Sequence, residues 1–430
     1  MFIHLGDIED DPRQVASWAG SPKTPCIFIK GNCDYQSSGN DLLRRSVFTL
    51  HGHRFYCCHG HHERVNYGLT TIAVAAFEEK CDIALFGHTH VPYDSEGEFA
   101  EDFARFKRKT GDMYEKLNYL ASEHRYDDES LYERCGRSGV LLPKVSLGFW
   151  HNFGGVDSYE RGRAITRYAF DHGITHFDLA NNYGPPYGSA EQTMGRLMDD
   201  DFRPYRDELF ISTKAGYDMW PGPYGNWGSR KYLMASLDQS LHRMHLDYVD
   251  LFYSHRLDPL TPLEETLQAL VDIVRQGKAL YVGISNWPLE QLRIGEQYLR
   301  EHNVPLLIYQ GRLNLIDRKP MDTGILQFCR ESGVGFIAFS PLAQGLLTDR
   351  YLNGIPSDSR MAREHFLKSD RLTPELVAYV QQLRADAKEK GQTTSEAALR
   401  WVLAQEGVTS VLIGASSVEQ LAQNLKCIDK

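Results

Sequence analysis

The segment T-H-F-D-L-A-N-N-Y-G, Thr175 to Gly184, is an apolar-rich run that ends in Asp178, with Tyr183 five residues further on. The next strand-like run, E-L-F-I-S-T-K from Glu208, ends in Lys214. The one after it, L-D-Y-V-D-L-F-Y-S-H from Leu246, ends in His255. Helical patterns separate the three. Asp178, Tyr183, Lys214 and His255 thus fall at or just beyond the C-terminal ends of successive strand candidates. In a barrel of parallel strands those ends converge on the face where active sites are built.

Outward from this segment, strand and helix candidates alternate from Leu131 to Lys430. After a hairpin at Leu131 to Pro143, strands are expected at Val145–Gly148, His176–Leu179, Leu209–Thr213 and Val249–Tyr253. Four more are expected at Leu280–Ile284, Leu306–Tyr309, Gly335–Phe339 and Ser410–Ile413. Helix-start signals stand between them: Asp157-Ser158, Ser189 and Thr261-Pro262. Alternation over ~300 residues means a closed parallel barrel or an open doubly wound sheet. No G-x-G-x-x-G follows an early strand, which counts against a Rossmann sheet. Eight βα units favour an α/β fold of the (β/α)8 TIM-barrel type over 131–430.

The quartet suits carbonyl reduction. A reduced carbonyl becomes an alkoxide unless an acid protonates it, and Tyr183 is placed to serve. A free phenol titrates near ~10, too weakly acidic for neutral pH. A neighbouring ammonium, Lys214, is expected to lower that value. Asp178 can keep Lys214 charged, and His255 can orient the carbonyl oxygen. Taken singly, Asp178 and Lys214 read as a structural ion pair and His255 as a core histidine; four together at this spacing do not.

D-L-A-N-N-Y-G, I-S-T-K, Y-S-H, G-I-S-N and S-P-L-A-Q-G-L-L resemble the aldo-keto reductases. F-W-H-N-F-G and G-P-P-Y-G-S-A-E are similar to the branch that includes L-glyceraldehyde 3-phosphate reductase, which also resembles the β subunits of potassium channels. The resemblance implies NADPH-dependent reduction of small aldehydes, of the glyceraldehyde 3-phosphate or methylglyoxal kind. It gives Asp178, Tyr183, Lys214 and His255 the catalytic roles. Ser285, Asn286 and Gln310 would hold the carboxamide and Phe339 would stack on the nicotinamide. Ser340, Leu342, Gln344, Gly345 and Leu346 would form the loop under the pyrophosphate. Gly414 and Ser416 precede a helix N-terminus suited to phosphate, with Gln420 and Asn424 on the adenine side. Arg350 and Arg360 are candidates for the 2'-phosphate, which guanidinium binds in bidentate fashion. Trp150, Tyr217, Trp220 and Trp287 are expected to wall a small-carbonyl site. The chain ends soon after Asn424, where the family carries a further helix and tail; the barrel is expected to fold without them.

The first ninety residues read differently. F-I-H-L-G-D ends in Asp7, C-I-F-I-K-G-N-C-D carries Asn32, F-Y-C-C-H-G-H-H carries His59, and I-A-L-F-G-H-T-H carries His88 and His90. Carboxylate, amide oxygen and imidazole at strand ends suit a pair of transition-metal ions. G-D, G-N-C-D, H-G-H and G-H-T-H resemble the calcineurin-like metallophosphoesterases over 1–98. The resemblance makes Asp7 the bridging ligand, Asn32, His59 and His88 ligands of one metal, and His90 a ligand of the other, with Mn2+ or another divalent ion implied. The family's opening D-x-H is missing, so this partial domain is expected to be metal-poor and weak in phosphodiester hydrolysis. Residues 99–130 are charged, with Phe99, Phe103 and Phe106 at helical spacing, and read as a linker.

A net charge of −10 without a basic stripe argues against a nucleic-acid partner. The eight cysteines lack metal-type spacing and no apolar leader opens the chain, so a reduced, cytoplasmic protein is expected. No run reaches the ~20 apolar residues of a membrane helix. The expected partners are a small aldehyde and, in a homo-oligomer, other copies of the chain. The alternatives are a bifunctional phosphodiesterase and reductase, or a nucleotide-sensing barrel subunit.

Overall fold

The computed structural model describes residues 2–4, 26–29, 45–50, 52–59, 76, 80–81, 83–86, 119–357, 359, 361–362 and 367–429. The chain divides into two compact units, Met1–Glu115 and Lys116–Lys430.

In the first unit, β1 (Phe2–His4) and β2 (Cys26–Phe28) pair in parallel. β3 (Arg45–Leu50) and β4 (His53–Cys58) form an antiparallel hairpin, and β5 (Ile83–Phe86) adds to β4 in parallel. Tyr56, Cys58 and Ala76 make a small core beside Val47 and Ala84. Among the described residues no cluster of His, Cys, Asp and Glu could hold a metal. His59 is buried directly after β4. The other expected ligands, Asp7, Asn32, His88 and His90, lie outside the described residues.

The second unit is an eight-stranded parallel barrel. Its strands are β8 (Val145–Gly148), β9 (His176–Asp178), β10 (Phe210–Ala215), β11 (Val249–Ser254), β12 (Ala279–Ser285), β13 (Leu306–Arg312), β14 (Gly335–Phe339) and β15 (Val408–Ile413). Each pairs with the next, and β15 closes on β8. Helices follow the strands and bury apolar faces such as Leu267, Leu270 and Ile273 of Leu263–Arg275. A hairpin of β6 (Tyr132–Arg134) and β7 (Leu141–Pro143) packs Cys135 and Leu142 against Leu251, Leu307 and Ile337. Because β7 leads directly into β8, it lies at the end of the barrel opposite the strand C-termini.

The helix-start signals are used unequally. Ser158 caps its helix by accepting from the Arg161 amide. Ser189 is instead the first helical residue, and its hydroxyl donates to the Pro186 carbonyl. Thr261 donates to Asp258, leaving Pro262 at the cap position. The end of the expected linker belongs to the barrel unit. The Tyr119 hydroxyl and the Ser122 amide both donate to Asp171, and the Arg125 guanidinium pairs with Glu208 at 2.6 Å. Charged composition made this stretch read as a connector, whereas its anchoring rests on a few specific bonds. Among the described residues, no helix is long and apolar enough to cross a membrane.

Candidate active site

Side chains in a strand alternate between barrel interior and exterior. In β9, Asp178 points inward while Phe177 joins the outer core. In β10, Lys214 points inward while Thr213 faces outward and donates to Glu191. Asp178 and Lys214 meet with Nζ 2.5 Å from Oδ2, both fully buried. Tyr183 follows on the loop after β9, its amide bonded to the Ala180 carbonyl. His255 follows β11, its amide bonded to the Ala215 carbonyl. Gly216 permits that approach, since a Cβ there would lie 2.9 Å from the His255 Cβ.

An ammonium has three donors and no acceptor capacity. Lys214 Nζ has three oxygen partners: Asp178 Oδ2 at 2.5 Å, the Leu179 carbonyl at 2.6 Å and Tyr183 Oη at 3.3 Å. The set matches a charged lysine. Burial pulls the Lys214 pKa down and the Asp178 carboxylate opposes that pull. Since Tyr183 Oη accepts from Lys214, the phenol proton is left to face the cavity.

The expected lowering of the Tyr183 pKa is not what the geometry gives. Burial raises it well above 10, and Asp178 and Tyr217 add to the rise. Desolvation of a phenolate outweighs an ammonium whose charge Asp178 already balances. Tyr183 is therefore a protonated phenol at neutral pH. His255 is held as a neutral imidazole, its pKa driven well below 6.5 by burial and by the cations of Lys214 and Arg256. Its ring meets Tyr217 edge-on, with centroids 4.7 Å apart.

These groups open onto a cavity of about 710 Å³. Asp178, Tyr183 and His255 line it, as do Trp150 and Tyr217. Ser285, Asn286, Gln310 and Phe339 stand at the ends of β12, β13 and β14. Ser340, Leu342, Gln344, Gly345 and Arg350 follow β14, and Gly414, Ser416 and Gln420 follow β15; all line the same cavity. Asn286, Ser340 and Gln344 adopt φ of 57°, 53° and 59°. Left-handed backbone costs a non-glycine residue roughly 1–3 kcal/mol and clusters at functional sites.

Several expected residues lie elsewhere. Trp287 is 1% exposed within the outer core, with its carbonyl accepting from the Tyr309 hydroxyl. Trp220 packs on Tyr232, ring centroids 5.1 Å apart. Leu346 is buried with Tyr351, Met361 and Leu367, and Asn424 is buried within the helix Val418–Leu425. Arg360 lies outside the described residues. Gln310 also donates to Asp178 Oδ1 at 3.1 Å, so its amide joins the Asp178–Lys214 cluster. Arg256 stacks on Trp227 and donates to the Gly216 carbonyl and Asn226, which anchors the loop. Arg312 lines the cavity and was missed. Its signal was period two, because it follows Gln310 by two residues in one strand.

The gathered donors suit a nucleotide. The Gln344 and Asn182 side-chain oxygens are buried at the cavity without a hydrogen-bond partner among the described residues. Such orphans fit a polar ligand, since a buried acceptor left unmatched is costly.

The aldo/keto reductase family model matches residues 144–430, and the calcineurin-like phosphoesterase superfamily domain matches 1–101. The chain is 56% identical over 316 residues to L-glyceraldehyde 3-phosphate reductase of Escherichia coli (strain K12), covering 72% of this chain and 91% of that protein. It is 34% identical over 307 residues to a probable voltage-gated potassium channel subunit beta of Arabidopsis thaliana, covering 69% and 91%. A crystal structure of a thermostable aldo-keto reductase with the inhibitor epalrestat aligns with TM-score 0.54 at 31% identity, over 70% of this chain and 94% of that one.

Proposed function

Because the chain belongs to the aldo/keto reductase family, we propose that this oxidoreductase reduces small aldehydes with NADPH, using Tyr183 as general acid. The observation that carries the reading is the buried Asp178–Lys214 pair bonded to a protonated Tyr183 at the cavity. Ser285, Asn286, Gln310 and Phe339 would hold the nicotinamide end. The residues after β14 and β15 would hold the phosphates. Bound there, the cofactor supplies a hydride.

The chain's own residues handle the oxygen. Neutral His255 is placed to donate to the carbonyl oxygen and fix its orientation. As negative charge grows on that oxygen, the Tyr183 hydroxyl releases its proton to it. A phenol with a high resting pKa keeps its proton until that moment. The Lys214 ammonium then stabilises the phenolate left behind, an electrostatic role that is strongest in a dry site. Trp150 and Tyr217 exclude water on the substrate side. The 56% identical relative that reduces L-glyceraldehyde 3-phosphate supports a phosphorylated triose as substrate, with methylglyoxal-like aldehydes as close analogues. Arg350 favours NADPH over NADH by offering a guanidinium to the extra phosphate.

The phosphoesterase match at 1–101 raises metal-dependent hydrolysis as a separate activity. Of its five ligand candidates only His59 is among the described residues. The test of the main reading is NADPH oxidation against an aldehyde panel, with and without added manganese. Tyr183→Phe should lose turnover while NADPH affinity holds. Comparable turnover in that variant removes Tyr183 from the role.

A further inference from the structure

One layer below the catalytic cluster, the barrel interior is polar. Two residues before Asp178 on β9 stands His176, and two before Lys214 on β10 stands Ser212; strand periodicity turns both inward. Ser146 of β8 and Ser410 of β15 complete the layer. All four are fully buried. Sequence motifs gave them no role, and the chemistry derived above does not use them.

Their hydrogen bonds can run in only one direction. An ionised carboxylate accepts and never donates. Ser212 Oγ, 2.8 Å from Asp178 Oδ1, must therefore spend its single proton there. His176 Nε2 lies 3.0 Å from the same hydroxyl and must be the donor to it. Burial holds this imidazole neutral, its pKa pushed down to about 4, so Nδ1 carries no proton. Nδ1 accepts from Ser146 Oγ at 2.8 Å, and Ser146 in turn accepts from Ser410 Oγ at 2.7 Å. The charged groups facing His176 are Asp178 from its own strand and Lys214 from β10, and the Phe210 ring closes one side edge-on.

We propose that His176 and Ser212 are positioning residues for the Tyr183 proton donor, acting through Asp178 and Lys214. The inference rests on the assignment of Tyr183 as the acid. A file of donors ends on Asp178 Oδ1, which also receives the Gln310 amide. With Oδ1 so occupied, Oδ2 is the oxygen left for Lys214, and the ammonium sits where a third N–H reaches Tyr183. Aligned hydrogen bonds polarise one another in a low-dielectric interior, so each link strengthens the anion at the end.

The test uses the full-length protein with NADPH and glyceraldehyde. Ser212→Ala, which removes a hydrogen bond to a charged group, should lower kcat about tenfold with KM unchanged, and His176→Leu, which removes the neutral donor behind it, should lower kcat about fivefold. His176→Gln, which keeps an N–H in reach of Ser212, should recover most of the loss. Unchanged kcat in a folded Ser212→Ala variant would overturn the proposal. A second readout needs no turnover: 15N spectra of the wild-type imidazole should show the proton on Nε2. A proton on Nδ1 breaks the file whatever the enzyme reduces, whereas absent aldehyde turnover with the Nε2 tautomer present counts only against the reductase reading.

Discussion

Asp178 and Asp201 are both carboxylates without exposed side-chain surface, and both are matched by cations. Asp201 is saturated. Arg163 and Arg167 each grip it as a fork, with bonds of 2.7 and 2.8 Å from one and 2.9 and 2.5 Å from the other. Both its oxygens are occupied by guanidinium donors, which tie the helix Tyr159–Asp171 to the turn at residues 198–202. Asp178 is matched by a single lysine whose remaining donors point elsewhere, one of them at a phenol facing a cavity. Burying an ion costs several kcal/mol in either place. At Asp201 the return is structural, and at Asp178 it is a charge held beside a phenol that faces the cavity. The number of donors left over, rather than burial, separates the two.

The largest expected effect strikes that spare donor. Lys214→Met should lower turnover about 10³-fold, within the range for lost acid–base assistance. Steady-state NADPH oxidation measures it. If the variant keeps more than a tenth of wild-type kcat, the lysine is a structural partner like Arg163 and the contrast collapses.

Amide isosteres sharpen the comparison, because they keep shape and remove charge. Asp178→Asn should cost about 100-fold in kcat, since Lys214 loses the counter-ion that keeps it protonated. Asp201→Asn should leave kcat near wild type yet cost about 3 kcal/mol of stability, as breaking a buried pair does. Urea midpoints and turnover on the same samples read both. A loss of activity without a loss of stability at Asp201 would reverse the assignment.

Acid should separate the sites by where each begins to titrate. His176 and His255 have folded pKa values below 6.5, so the unfolded chain binds protons that the folded one refuses. Stability is greatest above pH ~6.5 and falls toward the folded values, near pH 4 for His176. For Asp201, burial alone would raise the pKa, but Arg163 and Arg167 together hold it below 3.8. Its contribution is complete above that value and is lost only as pH falls through the lower folded pKa. The stability gap between wild type and Asp201→Asn should thus stay constant from pH 7 to about 4.5 and narrow below. A gap that already narrows near pH 6 would mean the arginines do not depress Asp201.

The barrel and its four central residues were legible because each strand is an apolar run with a polar tip. Period two then decides what points inward. The deeper polar layer was not, since serines in a strand read as weak spacers and not as members of a directed file. Trp287 illustrates a second blind spot: an aromatic beside a motif looks like a pocket wall until packing buries its ring beside Gly295. The sign of the Tyr183 shift was hidden as well. It depends first on how deeply the phenol is buried and then on the nearby Asp178 charge, which only the folded structure reveals.

The smallest effect expected is that of removing residues 1–115. Both carboxylates, all eight barrel strands and the cavity lining lie in the unit that begins at Lys116. That unit's core spans Tyr119 to Cys427, and its first anchored residues bond to Asp171 and Tyr205 within the same unit. A domain with its own core can fold alone. Purified 116–430 should therefore keep kcat within about twofold, and the Asp178→Asn and Asp201→Asn contrasts should repeat in it unchanged. Should the shortened chain fold but lose turnover, the first unit contributes to the reductase site. Should manganese-dependent hydrolysis of bis(p-nitrophenyl) phosphate appear in the full chain and vanish in His59→Ala, the protein is bifunctional.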